Sequence, residues 1–176
     1  KRTRAQLASD AISTEAASFI FGKKKLDRTT GDGKALFATD HPGVRAGVKA
    51  QSNVFTNAFG SDATMLNRLA NVGRNFLNQS GNVTGFVFDT IIIPSNVPEL
   101  EDTIKRIIRS DLIVGSSNND VNTQKGLWNL VVDPLWQVEG NAKPYILMSS
   151  KGNKAARGSM FYDRVPLDVQ NQVEIH

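Results

Sequence analysis

The segment Phe86–Ser110 constrains the fold more than any other part of this chain. It begins Phe-Val-Phe-Asp-Thr-Ile-Ile-Ile, turns through Pro94-Ser-Asn-Val-Pro98, and continues Glu-Leu-Glu-Asp-Thr-Ile-Lys-Arg-Ile-Ile-Arg-Ser110. The unbroken run Ile91-Ile92-Ile93, behind two phenylalanines, predicts a strand covered on both faces rather than one with a wet side. Pro94 has no N–H for a ladder, so the strand ends there. Asn96 or Ser95 is the expected cap of the following helix, and Pro98 suits its first turn. Glu99, Glu101 and Asp102 complement the positive end of its dipole. Leu100, Ile104, Ile107 and Ile108 share one helical face, while Lys105, Arg106 and Arg109 occupy the last turns. A buried strand leading through a proline turn into an amphipathic helix is the seed of an α+β core.

The chain of 176 residues is long enough for one domain or two small ones with a proper core. With 40% hydrophobic and 22% charged residues its composition is globular. No apolar run approaches the roughly 20 residues needed to cross a bilayer, so no membrane partner is expected. The basic N-terminus is not followed by the apolar block of a signal peptide. Because the chain begins with Lys1 rather than Met, a processed product or an excised fragment is expected. The absence of cysteine excludes disulfides, thiolate metal sites and cysteine nucleophiles. A net charge of +4 is mild; it suits nucleic acid or an acidic partner, and a solvated surface explains it equally well.

Thr3 to Leu26 reads as one long helix. Leu7, Ala8, Ala11, Ile12, Ala16, Phe19 and Ile20 recur at helical spacing, and Gly22 with Lys23-Lys24-Lys25 marks its end. Thr29 to Gly33 is a turn, Ala35 to Ala38 a short extended segment, and Asp40-His41-Pro42 a second turn. Gly43 to Ser61 reads as loops and weak strands, with Val54 and Phe55 anchoring to the core. Ser61 or Asp62 is expected to cap a helix running to about Gln79 that buries Met65, Leu66, Leu69, Val72, Phe76 and Leu77 and turns Arg68 and Arg74 outward. Ser116 to Gly126 is too polar to supply core residues and reads as an exposed loop or β-tongue. Trp128 to Trp136 is a strand broken at Asp133-Pro134, and Pro144 to Met148 is a third buried strand. Lys151 to Gly158 reads as a basic flexible loop, with further strands at Met160–Tyr162 and Val165–Ile175.

Reaction chemistry finds little to work with. The histidines are His41 and His176, so a histidine triad or histidine-rich metal site is poorly supplied. His41, set between Asp40 and Pro42, is expected to be structural. Thr30-Gly-Asp-Gly-Lys34 lacks the spacing and the strand-to-helix context of a phosphate loop. Asp89, Glu99, Glu101 and Lys105 are the residues a metal-dependent nuclease of mobile-element origin would use. The first turn of a helix already accounts for Glu99 and Glu101, and an edge-facing or capped position in the strand is the ordinary explanation of Asp89. Asn78-Gln-Ser80 and Asn82-Val-Thr84 fit the glycosylation sequon, which matters only in a secreted chain. Trp128, Trp136, Phe86 and Phe88 lie within apolar runs, unlike the exposed aromatics of a base-stacking surface.

Two stretches carry a family resemblance. Asp32-Gly-Lys-Ala-Leu-Phe-Ala-Thr-Asp-His-Pro42 resembles the Asp-Gly-x-x-Leu-Phe-x-x-x-His-Pro signature of tailed-phage major capsid (major head) proteins, the Mu-like head subunit among them. Phe88 to Glu101, with the helix to Ser110, is similar to that family's central strand, proline turn and helix. The Asn-rich tract from Asn118 and Leu130-Val-Val-Asp-Pro-Leu135 follow in the family's order. The resemblance implies an α+β chain with the Hong Kong 97-type capsid fold. Residues 1–53 would hold the spine helix and a peripheral segment, 54–150 the axial domain, and 151–176 the return to the peripheral domain. It implies a non-enzymatic shell subunit of a phage or prophage, with no catalytic, cofactor-binding or metal-binding residue. Its partners would be copies of itself in pentamers and hexamers, packaged double-stranded DNA held through phosphates, and scaffold, protease and portal proteins. Its place would be the virion capsid, assembled in the bacterial cytoplasm. Family members carry an N-terminal arm and an extended loop before the spine helix and usually another strand or two at the C-terminus; this chain has neither in full, so a truncated piece is expected. A nanocompartment shell protein, which shares the fold but encloses an enzyme, is a related alternative.

Overall fold

The computed structural model describes residues 30, 32–43, 45–55, 59, 63–78, 80–114 and 120–155. The expected helix Thr3–Leu26 and the expected strands after Met160 lie outside the described residues. Six regular elements follow in order: α1 (Ala63–Arg74), β1 (Thr90–Pro94), α2 (Pro98–Arg109), β2 (Asn129–Asp133), β3 (Ile146–Met148) and α3 (Ser150–Ala155). They form a mixed α+β arrangement around a three-stranded sheet of order β2-β1-β3.

The isoleucine strand takes the central place that its sequence calls for. β1 pairs in parallel with β2, Ile91 opposite Leu130 and Ile93 opposite Val132, and antiparallel with β3, Ile91 opposite Leu147. A parallel pair needs a crossover connection, and α2 supplies it. Ile91 and Ile93 are fully buried, as are Ile104 and Ile107 on the facing side of α2. Removing each such side chain from water contributes about 1.5–3 kcal/mol. Leu66, Leu69 and Ala70 of α1, Leu100 of α2 and Trp128 complete the core.

Several local expectations give way to tertiary contacts. α1 ends at Arg74 instead of continuing to about Gln79, and Phe76 and Leu77 follow it as half-buried residues of a turn. A second partner explains the early stop, because the carbonyl of Phe76 accepts both the backbone N–H and the hydroxyl of Thr84 (2.7 and 2.9 Å). Val54 and Phe55 do not anchor to the buried core. They are 40% and 43% exposed, and Phe55 stacks instead on Phe76 with centroids 6.2 Å apart. Neither Ser95 nor Asn96 caps α2. Val97 stands at that position without a side-chain bond, while Asn96 exchanges two hydrogen bonds with the backbone of Val138 (2.7 and 3.0 Å). Asn96 thus acts as a strand-like partner to a distant loop. Pro98 does occupy the first turn, as expected. Lys151–Ala155 is the body of a short helix and not a flexible loop.

The largest departure concerns the polar tract. Asn122 and Gln124 are buried, at 4% and 8% exposure, beneath the C-terminal end of α2. The side-chain amide of Asn122 donates to the carbonyls of Ile107 (2.6 Å) and Ser110 (3.0 Å), and the N–H of Gly126 donates to Ile108 (3.2 Å). These carbonyls are among the last of the helix, which has no internal donors left for them. Gln124 in turn accepts the indole N–H of Trp128 at 2.9 Å. Tryptophan can therefore enter the core with its one polar group paired. The tract supplies core residues because its side chains answer helix-end carbonyls, a need that no apolar side chain meets.

Two substitutions test this packing. Asn122→Ala leaves the Ile107 and Ser110 carbonyls without that donor, and should lower the unfolding free energy by about 1–3 kcal/mol in urea denaturation. Gly73→Ala in α1 should destabilise, although the same exchange in an open helix stabilises by about 1 kcal/mol. A Cβ at Gly73 would stand 2.8 Å from the carbonyl oxygen of Phe86 and 3.1 Å from the ring of Phe88. A rise in melting temperature for Gly73→Ala would show that the helix stands off from this segment.

Candidate functional site

The Asp-Gly to His-Pro stretch folds into one hydrogen-bonded unit centred on Asp32. One carboxylate oxygen accepts the Thr30 hydroxyl and the Lys34 backbone N–H (3.0 Å); the other faces Nδ1 of His41 at 2.7 Å. The N–H of Gly33 closes the turn onto the Thr30 carbonyl at 2.9 Å, with Gly33 at φ 79°, a conformation that glycine adopts without steric cost. Because a carboxylate only accepts, Nδ1 of His41 carries the proton in this contact. Nε2 of His41 is buried and has no hydrogen-bond partner. Lys34 reaches across the loop to form an ion pair with Asp40.

Side chains from Gln51 and Asn53 tie this unit to the rest of the molecule. His41 and Gln51 exchange backbone hydrogen bonds at 3.0 Å in each direction. The side-chain amide of Asn53 donates to the Leu36 carbonyl (2.7 Å), and its oxygen accepts the Ala38 N–H (2.9 Å). Gln51 does the same to Leu77, donating to its carbonyl at 2.6 Å and accepting its N–H at 3.1 Å. The loop 36–38 is therefore held by Asn53 through both its side-chain amide and its backbone N–H, which donates to the Ala38 carbonyl at 3.1 Å. Phe37, on this loop, and Val54 and Phe55, just after Asn53, are exposed at 40%, 40% and 43%.

The hydrogen bond from Thr30, then the contact with His41 and the Lys34 N–H, hold the Asp32 carboxyl well below the usual carboxylate range, against a smaller opposing effect of burial. This geometry can brace a loop.

The four residues of the nuclease alternative are not brought together. Asp89 precedes β1, whereas Glu99 and Glu101 follow its far end, and a five-residue strand spans about 16 Å. Asp89 instead accepts the hydroxyl and the N–H (3.0 Å) of Ser150 at the start of α3, and the Thr90 hydroxyl at 2.9 Å. Burial raises its pKa, but these hydrogen bonds together outweigh burial and hold it below the ordinary value. Glu99 pairs with Lys143 at 2.7 Å, whose hydrogen bond and charge lower its pKa. Glu101 pairs with Lys105 one helical turn on. Among the described residues no group of three or more His, Asp or Glu side chains is placed to hold a metal ion. None of the described helices is long and apolar enough to cross a membrane.

The sequence marked Asp32, Leu36, Phe37 and His41 as one motif but gave no sign of Gln51 and Asn53, which lie in a stretch without periodicity. No protein-family model, curated protein or solved structure matches the chain.

The brace has a pH signature. A carboxylate whose pKa is depressed in the fold contributes stability above its unfolded value, near 3.8, and loses it as the pH falls through the folded value. The protection factor of the Ala38 amide, whose N–H is held by Asn53, should therefore stay constant from neutral pH down to about pH 4 and decline progressively below it. Asp32→Asn should show fast exchange there across the whole range, and an unchanged profile would remove Asp32 from the brace.

Proposed function

We propose that this chain is the structural major head subunit of a tailed phage or prophage, a non-enzymatic protein that assembles into an icosahedral shell around DNA. The observation that carries the reading is the Asp32–His41 brace. The signature residues are engaged in fixing the course of a loop, as a building part requires, and Phe37 on that loop, with Val54 and Phe55 after Asn53, is exposed. Exposed apolar surface in a contiguous patch is the usual mark of a protein contact. In this reading the fold is of the Hong Kong 97 type, with the spine helix in residues 1–53, the axial domain in 54–150 and the peripheral return in 151–176. Assembly is then geometric: different patches of one subunit meet in rings of pentamers and hexamers, and many modest contacts sum to a stable shell. Scaffold, protease and portal proteins are the further partners, and the virion capsid, built in the bacterial cytoplasm, is the location.

Negative-stain microscopy of the full-length product should show rings or shells. Phe37→Asp combined with Phe55→Asp should leave a folded protein of small, uniform size with no such particles. Small species alone at high concentration of the unmodified protein would end the shell reading.

A further inference from the structure

The described basic side chains fall into three sets, one of which, Arg68 of α1 with Arg106 and Arg109 of α2, is exposed and makes no ion pair with a described carboxylate. Lys34, Lys105, Lys125 and Lys143 each pair with a carboxylate, respectively Asp40, Glu101, Asp111 and Glu99. Arg45, Lys49, Arg74, Lys151 and Lys154 are exposed, and none of them pairs with a carboxylate of the described residues. Arg74 bonds only the neutral side chain of Asn71, at 3.0 Å, so its charge is left whole.

The segments carrying these five cations are bound side by side. Val48, between Arg45 and Lys49, lies over Gly81, with its Cγ2 3.0 Å from where a Cβ would stand. Gln51 clasps Leu77 just beyond α1. Phe86 is wedged between Gly73, the neighbour of Arg74, and Gly152, the neighbour of Lys151: its carbonyl oxygen is 2.8 Å from a Cβ position at the first and its ring 3.0 Å from one at the second. Three acids of the adjoining segments are already engaged. Asp89 is held by Ser150, Asp32 by Thr30, Lys34 and His41, and Asp40 by Lys34.

We propose that Arg45, Lys49, Arg74, Lys151 and Lys154 form one face that binds the phosphate backbone of nucleic acid without reading its sequence. Cations on separate segments, free of competing carboxylates, follow a row of phosphates by releasing the counterions condensed on it. The helix bearing two of them, Ser-Lys-Gly-Asn-Lys-Ala, has no large apolar side chain to insert between lipids, which favours nucleic acid over an anionic membrane. The face specifies where DNA enclosed by the proposed shell would touch the subunit, and it rests on that reading for the biological partner. The phosphate contact itself is a property of the single chain.

Fluorescence anisotropy of the full chain with a random-sequence DNA duplex tests this across a potassium chloride series. Five phosphate contacts predict a slope of log affinity against log salt of about −4.5, at about 0.9 per contact. Arg45→Glu with Lys49→Glu, and separately Lys151→Glu with Lys154→Glu, should each weaken binding at least about tenfold and flatten the slope by about 2. Arg106→Glu with Arg109→Glu, on α2, should leave both unchanged. Circular dichroism confirms the fold of each variant, and the milder Lys151→Gln with Lys154→Gln replaces any that unfolds. Equal weakening by the α2 pair, no binding to DNA, or tighter binding to phosphatidylserine vesicles than to DNA would overturn the proposal. Loss of DNA binding with particles intact removes this face and keeps the shell; DNA binding without particles does the reverse.

Discussion

The structure depends on both edges of β1 being paired while its isoleucines are sealed from water. The ladder extends one residue before the strand itself. The N–H of Asp89 donates to Met148 (3.1 Å), and its carbonyl accepts from Asn129 (2.8 Å). Asp89 therefore joins both neighbours through its backbone and fixes the start of α3 through its side chain. With Ile91 and Ile93 at zero exposure, the strand cannot slip by one residue without carrying every core side chain to the opposite face. The positions of α2 and of the loops that follow it rest on that register.

Around this strand, the polar groups at chain turns are answered by side chains from distant residues. Asn122 serves the end of α2, Asp89 the beginning of α3, Asn96 the backbone of Val138, Gln51 the backbone of Leu77, and Asn53 the motif loop. Each substitutes for a backbone partner that a longer strand or helix would have provided. A small sheet of three strands, with edges only three and five residues long, leaves many such groups to satisfy. Asparagine and glutamine suit the task because one amide both donates and accepts.

The same economy shapes the surface. Phe37 is exposed on the loop braced at Asp32 and His41, and Gln51 and Val48 tie residues 45–53 to the segment after α1. Exposed apolar side chains and the proposed cationic face thus lie on elements that contribute little to the core. A subunit that touches both its copies and a polyanion needs two surfaces of this kind, which is how they fit the reading proposed for this chain.

The sequence by itself determined the module from Phe86 to Ser110, the apolar faces of α1 and α2, and the break of β2 at Asp133-Pro134. Those features follow from local periodicity and from proline, which act within a few residues. It also marked Asp32 and His41 as members of one motif, although nothing in their spacing told which atoms would meet. Only the tertiary structure decided that Asn122 and Gln124 enter the core, that Asn96 leaves the helix cap for Val138, and that Phe55 stacks outside the core. A polar side chain is placed by whichever carbonyl or N–H folding leaves without a partner. Such vacancies come into being only when remote segments have met.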